Sequence, residues 1–180
     1  MDRLSLWFDR RILPGAWACA CLLGTLCTAL PPRVSAEEIT GTVTHVASGD
    51  TLFVTEGGNE VEVRLADIGA PQRSEYYSPA SRTLLSNIAL TKSARVVITD
   101  RAGPKRVFGR VIVDPLDVNL ELVQRGAAWV CWEYATDTGY LPYENDAIRH
   151  QRGLWYQTSQ FDARIRCRGR PPALHPVGKQ

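Results

Sequence analysis

The residues whose chemistry is not settled by packing alone are few: two cysteines, several scattered carboxylates and a set of arginines. Of five cysteines, Cys19, Cys21 and Cys27 fall in an apolar N-terminal run, leaving Cys131 and Cys167. An even pair in an exported chain reads as a disulfide, here tying the C-terminal segment back to the domain. His45, His150 and His175 stand at no spacing that would join these cysteines in a metal site. Asp50 closes Ser48-Gly49-Asp50, ordinary turn chemistry. Arg64 and Arg110 fall at polar positions of strand-like segments, so each taken singly reads as a surface residue. From Phe161 onward Arg164, Arg166, Arg168, Arg170 and Lys179 face only Asp162. Such a tail suits contact with an anionic polymer or membrane surface, and equally a solvated tail beside Pro171, Pro172 and Pro176.

The elements that must position these groups begin after a leader. Arg3, Arg10 and Arg11 precede an apolar run from Ala16 to Leu30, followed by Val34-Ser35-Ala36. That order predicts a signal peptide over 1–36, removed before Glu37, and hence a periplasmic or secreted protein without stable membrane insertion. An uncleaved anchor is the competing reading; Pro14 and Gly15 shorten the apolar stretch against it. The leader holds four basic and two acidic residues of the chain's 21 and 19, so the remainder carries 17 of each and is formally neutral. A strongly basic balance, the mark of nonspecific nucleic-acid binding, is absent.

Residues 37–160 are long enough for one domain with a core, and 161–180 form a basic, proline-rich tail. Alternation predicts strands over 39–46, 51–54, 61–66, 95–99 and 107–113, with a loop over 100–106. Ser78 as N-cap and Pro79 at the first helical position open a helix carrying Leu84, Leu85, Ile88 and Leu90. Two more helices, 117–125 and 141–152, stop at Gly126 and Gly153. Five short strands with a helix between the third and fourth suit an α+β domain built on a five-stranded OB-type barrel packed with about three helices.

Local words narrow this further. Ser48-Gly49-Asp50-Thr51-Leu52, Val63-Arg64-Leu65-Ala66-Asp67-Ile68-Gly69-Ala70-Pro71-Gln72, Phe108-Gly109-Arg110, Val118-Asn119-Leu120-Glu121-Leu122-Val123, Gly126-Ala127-Ala128-Trp129-Val130 and Arg152-Gly153-Leu154-Trp155 occur in this order. Together they resemble the staphylococcal nuclease (thermonuclease) family from about Ile39 to Trp155. The resemblance implies an OB barrel with three helices and Ca²⁺-dependent hydrolysis of DNA and RNA phosphodiesters. In such a site two Asp side chains hold the hard cation, a Glu takes a proton from the attacking water, and two arginines bind phosphate oxygens.

Carried over by residue, the resemblance gives Asp50 as the first metal carboxylate, and Arg64 and Arg110 as the phosphate clamp. Gly69 stands where the second Asp would be, and Gln72 where the Glu would be. Gln72 can orient a water but cannot deprotonate it. Asp67, read as two residues before Gly69 on the same face of a strand, and Glu75, in the following loop, are the candidates to compensate. Phe108, Trp132 and Tyr134 are candidates to stack on bases. Two functions are therefore expected: an exported nuclease-like protein with impaired Ca²⁺-dependent cleavage of DNA or RNA, or a non-catalytic envelope protein that binds nucleic acid or another polyanion, such as an acidic exopolysaccharide whose synthesis or export it supports. A scaffold role for Trp129, Trp132 and Trp155 is the weakest reading.

Overall fold

Alternating burial along the strands gives the domain its inside and outside. Leu52, Val54, Val63, Leu65, Val107, Val111 and Val113 are all buried, while Glu62, Arg64, Arg106 and Arg110 between them face outward. The computed structural model describes residues 36–131, 135, 137–160 and Cys167. Contacts divide the chain into Met1–Val34 and Ser35–Gln180, and everything described belongs to the second unit. The expected signal peptide, except Ala36, and the expected tail, except Cys167, lie outside the described residues. Among the described residues no helix is long and apolar enough to cross a membrane.

The elements run β1 (Glu38–Val46), β2 (Thr51–Glu56), β3 (Asn59–Leu65), β4 (Ile68–Gly69), α1 (Ser78–Ala89), β5 (Ser93–Gly103), β6 (Arg106–Val113), β7 (Leu116–Asp117), α2 (Val118–Gln124), β8 (Trp129–Val130) and α3 (Leu141–Arg149). Strands β3-β2-β1-β5-β6 pair as antiparallel neighbours, and β6 closes the ring by pairing parallel to β3. This is the five-stranded closed barrel with three helices that the pattern predicts. The short β4 and β8 pair separately, Gly69 opposite Trp129 and Ile68 opposite Val130.

Several boundaries differ from the sequence reading, each for a local reason. Helix α1 begins at Ser78 itself, and its cap is Tyr77, in the left-handed region at φ 70° with no side-chain cap bond. Strand β5 runs on to Gly103, so most of the expected 100–106 loop is paired strand and only the tip turns. Helix α3 ends at Arg149 because Gln151 adopts φ 50°. The third strand stops at Leu65, and Asp67 takes φ 64° in the turn before β4. Strand alternation therefore does not carry from Asp67 to Gly69, and the expectation that the two share one strand face is corrected.

That turn is held from inside. Asn119, fully buried near the start of α2, accepts the Val111 N–H at 3.1 Å and donates to the carbonyls of Ala66 at 2.9 Å and Gly109 at 3.3 Å. Buried backbone groups left without partners are costly, so one amide side chain satisfies three of them and ties α2, β6 and the β3–β4 turn together. At the other end of α2, Gly126 at φ 66° sits so close to Arg152 that a Cβ would lie 2.1 Å from its carbonyl oxygen. Leu154 N–H then bonds the Gly126 carbonyl at 2.8 Å, seating the segment after α3. Cys131, following β8, is bridged to Cys167 with Cα atoms 5.6 Å apart.

Asn119→Ala should lower stability by about 2–4 kcal/mol, because it strands buried N–H and C=O groups; a loss under about 1 kcal/mol in denaturant titration would contradict the staple. Reducing the 131–167 bridge, which closes a separation of 36 residues, should cost about 3–4 kcal/mol by the loop-closure account, read as a fall in the denaturation midpoint.

Candidate functional site

The site is assembled by three outward positions and one turn. Arg64 on β3 lies opposite Thr51 of β2 and opposite Phe108 of β6. The three side chains form one row across the barrel's outer face, and Arg110 is the next outward residue along β6, ~6.5–7 Å further on. The Ser48-Gly49-Asp50 turn brings a carboxylate to the end of this row. Gly49 is what lets it approach: a Cβ there would lie 2.6 Å from Ser81 Cβ on α1 and 2.8 Å from Ala70 Cβ.

Asp50 is buried, 2% exposed. Its Oδ1 accepts the Ser48 hydroxyl at 2.7 Å and the Thr51 hydroxyl at 3.2 Å. Its Oδ2 faces an Arg64 guanidinium nitrogen at 3.5 Å and the Ala70 N–H at 3.4 Å. The hydroxyl contact from Ser48 is the strong one; the pair with Arg64 is long and leaves most of that guanidinium's donors uncommitted to Asp50. Arg64 is thus oriented by a neighbouring charge while still reaching solvent, the condition for a side chain that grips an external phosphate.

Arg110 is placed differently. Its guanidinium meets Asp117 Oδ2 at 2.7 Å. Asp117 also caps α2, its Oδ1 accepting the Leu120 N–H at 3.1 Å, and its Oδ2 accepts the Tyr140 hydroxyl at 3.3 Å. Burial, and then the Asp117 carboxylate, hold the Tyr140 hydroxyl far above the ordinary phenol range. Burial pulls the Arg110 guanidinium down, but Asp117 and Tyr140 outweigh it and raise its pKa. Neither group titrates near neutrality, so Arg110 stays charged and any phosphate competes with Asp117 for it. Sequence reading missed Asp117 and Tyr140; Asp117 reads as the first residue of the helix over 117–125, and nothing in its spacing points to Arg110.

The segment after β4 carries the two departures. Gln72 donates its side-chain N–H to the Ala70 carbonyl at 3.2 Å. Its backbone N–H donates to Glu75 Oε2 at 2.9 Å, while the Glu75 N–H returns to the Gln72 carbonyl at 2.7 Å. Glu75 therefore folds back onto residue 72, as the loop reading allowed. Asp67 sits in its left-handed turn, its carbonyl accepting the Cys131 N–H at 2.8 Å. At Gly69 a Cβ would lie 2.7 Å from Trp129 Nε1 and 3.3 Å from Cys131 Sγ. Trp129 itself is 1% exposed, so the place where a second metal carboxylate would start is filled by indole. Phe108 is buried to 5% and has little surface to offer a base. Trp132 and Tyr134 lie outside the described residues.

These residues do not fit a calcium site. Among the described residues no three His, Cys, Asp or Glu side chains gather as a metal group, and a hard cation of this kind needs several oxygens with charge among them. Gly69 brings no carboxylate beside Asp50, and Asp67 stands in the turn between β3 and β4 rather than on the same strand face.

A closed five-stranded OB barrel with outward arginines on β3 and β6, beside a buried turn carboxylate, is the architecture of a nuclease-type barrel. The chain belongs to the staphylococcal nuclease homologue family, whose model matches residues 62–157. It is similar to an uncharacterized endonuclease of Haemophilus influenzae, 33% identical over 129 residues covering 71% of this chain and 72% of that protein. It is similar also to an uncharacterized endonuclease of Escherichia coli, 33% identical over 123 residues (68% and 80% of the two chains). A micrococcal nuclease of Shigella flexneri is 32% identical over 129 residues, 64% of this chain and 72% of its own.

Asp117→Asn keeps an acceptor for the α2 cap but removes the charge opposite Arg110. It should tighten oligonucleotide binding about two- to fivefold, the equivalent of a partly exposed ion pair. Unchanged affinity in a fluorescence-anisotropy titration would show that Arg110 takes no part in phosphate binding.

Proposed function

We propose that this protein is an exported member of the nuclease family that binds nucleic-acid phosphodiesters through Arg64, assisted by Arg110, and whose hydrolysis is depressed by Gly69 and Gln72. The observation that carries the reading is Arg64, held at 3.5 Å from the buried Asp50 carboxylate yet partly exposed on the outer face of the barrel. A phosphate seated there receives N–H donors from a planar guanidinium, the geometry that suits its oxygens. Negative charge building on the phosphorus oxygens during attack by water would be met by the same donors.

Gln72 supplies an amide where the family's chemistry calls for a base. It can hold a water by hydrogen bonds but takes no proton from it near neutral pH. A positioned general base is worth about 10²–10⁴ in rate, and that factor is what this chain lacks. Export rests on the leader pattern over 1–36, and it agrees with a disulfide, which persists in oxidising compartments. The calcium that this family generally uses would find Asp50 as its one acidic ligand from the expected pair, so any dependence on it is weak here.

A second reading is favoured by one observation, the indole of Trp129 filling the space beside Gly69. In that reading the protein only captures a polyanion in the cell envelope, nucleic acid or an acidic exopolysaccharide, and cuts nothing.

The test is retention and cleavage of single-stranded DNA and RNA by the purified exported form, with the Shigella flexneri relative assayed alongside. Both polymers should be retained, Arg64→Ala should weaken retention by about tenfold or more, and turnover should fall at least about 10²-fold below the relative's. Turnover equal to the relative's would overturn the depression. Retention of neither polymer, or retention indifferent to Arg64→Ala, would overturn the binding site. Retention of acidic exopolysaccharide with no cleavage of either nucleic acid would select the second reading.

A further inference from the structure

We infer that this site takes phosphate without a bound cation, because protein donors stand against the oxygens that would otherwise face one. The inference rests on the Arg64–Asp50 site being the phosphate site, and it adds what kind of site that is.

Three observations converge. Both Asp50 oxygens are engaged: Oδ1 by the hydroxyls of Ser48 and Thr51 at 2.7 and 3.2 Å, Oδ2 by Arg64 and the Ala70 N–H at 3.5 and 3.4 Å. The positive charge beside Oδ2 is therefore a guanidinium that belongs to the chain. Next, the carbonyl of Ala70, the residue whose N–H reaches that carboxylate, accepts the Gln72 amide at 3.2 Å. The opposite orientation of that amide would set two acceptors against each other, so the donor assignment is the consistent one. A glutamate at 72 could not make this contact when ionised, since it has no N–H to give. The amide that removes the base also covers the carbonyl.

The third observation concerns residue 69. Gly69 pairs with Trp129 across the β4–β8 ladder, and the Cβ position meets Trp129 Nε1 at 2.7 Å and Cε2 at 3.0 Å. The indole cannot simply swing away: it is 1% exposed and packs with Ala147, Leu154, Trp155 and Cys131, the last bridged to Cys167. Trp129 is thus the residue that decides the metal question, since it fills the volume that an acidic side chain at 69 would need. Restoring the carboxylate by Gly69→Asp alone should not restore a cation site, whereas Gly69→Asp combined with Trp129→Ala opens the space.

The experiment titrates calcium alone into the full exported protein by calorimetry, and follows Tm with and without about 1 mM calcium, since a ligand specific for the native state raises Tm as its concentration passes Kd. In parallel, binding of a fluorescent single-stranded oligonucleotide is measured in calcium and in chelator at equal ionic strength. Expected are no calcium heat, no calcium-dependent Tm shift, and oligonucleotide affinities within about twofold of each other. Gly69→Asp should lower Tm with no response to calcium, and the double variant should gain a calcium-dependent rise in Tm. A calcium-dependent Tm rise in the natural protein that disappears in Asp50→Asn would overturn the inference. So would oligonucleotide affinity at least about tenfold higher in calcium than in chelator. Failure of the oligonucleotide to bind in either condition would overturn the proposed function instead, and the calcium-only measurements would still decide the cation question.

Discussion

One buried amide holds together the parts of this domain that meet at its site. Asn119 reaches from α2 to the Ala66 and Gly109 carbonyls and the Val111 N–H. These belong to the turn after β3 and to the strand that closes the barrel against β3. The Gly109 carbonyl also accepts the Ala66 N–H at 2.8 Å, so Asn119 adds to a backbone bond there and supplies partners to the Ala66 carbonyl and the Val111 N–H, a demand that makes the arrangement specific. The turn fixed in this way sends the chain into β4 and on to Ala70, whose N–H reaches Asp50. Arg64 lies just before the same turn. A single side chain in the core therefore governs how the arginine and the carboxylate are set relative to each other, although it touches neither.

The charges on the outer face are arranged in two separate pairs with different tightness. Arg110 and Asp117 are close, at 2.7 Å, and share Asp117 with a helix cap and a phenol. Arg64 and Asp50 are loose, at 3.5 Å, with Asp50 drawn more firmly towards Ser48. A carboxylate already satisfied by hydroxyls restrains an arginine without capturing it. The looser of the two guanidiniums is the less committed to its own carboxylate, which is why the proposed phosphate site is built on Arg64. Formal neutrality over residues 37–180 suits the local recognition proposed for Arg64 better than a long-range attraction to nucleic acid.

Much of the frame was legible in the sequence because the forces that make it are local. Val61, Val63 and Leu65 alternate with Glu62 and Arg64 whatever the remainder of the chain does, and Gly126 ends α2 for reasons of its own backbone. The positions of Asp50, Arg64, Arg110, Gly69 and Gln72 were legible as words in order. What the words could not carry was contact at long separation. Nothing near Gly69 in sequence announces Trp129, sixty residues later, as its neighbour across β4 and β8. The turn at Asp67 was hidden because Asp is a permissible but uncommon left-handed residue, and the preceding alternation continued smoothly into it. Arg110 reads as a free strand arginine until the hairpin to β7 brings Asp117 beneath it.

The second sulfur of the Cys131–Cys167 bridge comes late in the newly made chain. All five barrel strands lie between Glu38 and Val113, and the helices that cover them end by Arg149. Cys167 follows the last barrel residue by 54 positions, so every strand and helix has been made before the second sulfur is available. Domains fold as units once their elements are present. The covalent link fastens the chain after β8 to its C-terminal segment and joins no two barrel strands, so it seals the end of the domain and leaves strand register to hydrophobic alternation and backbone pairing.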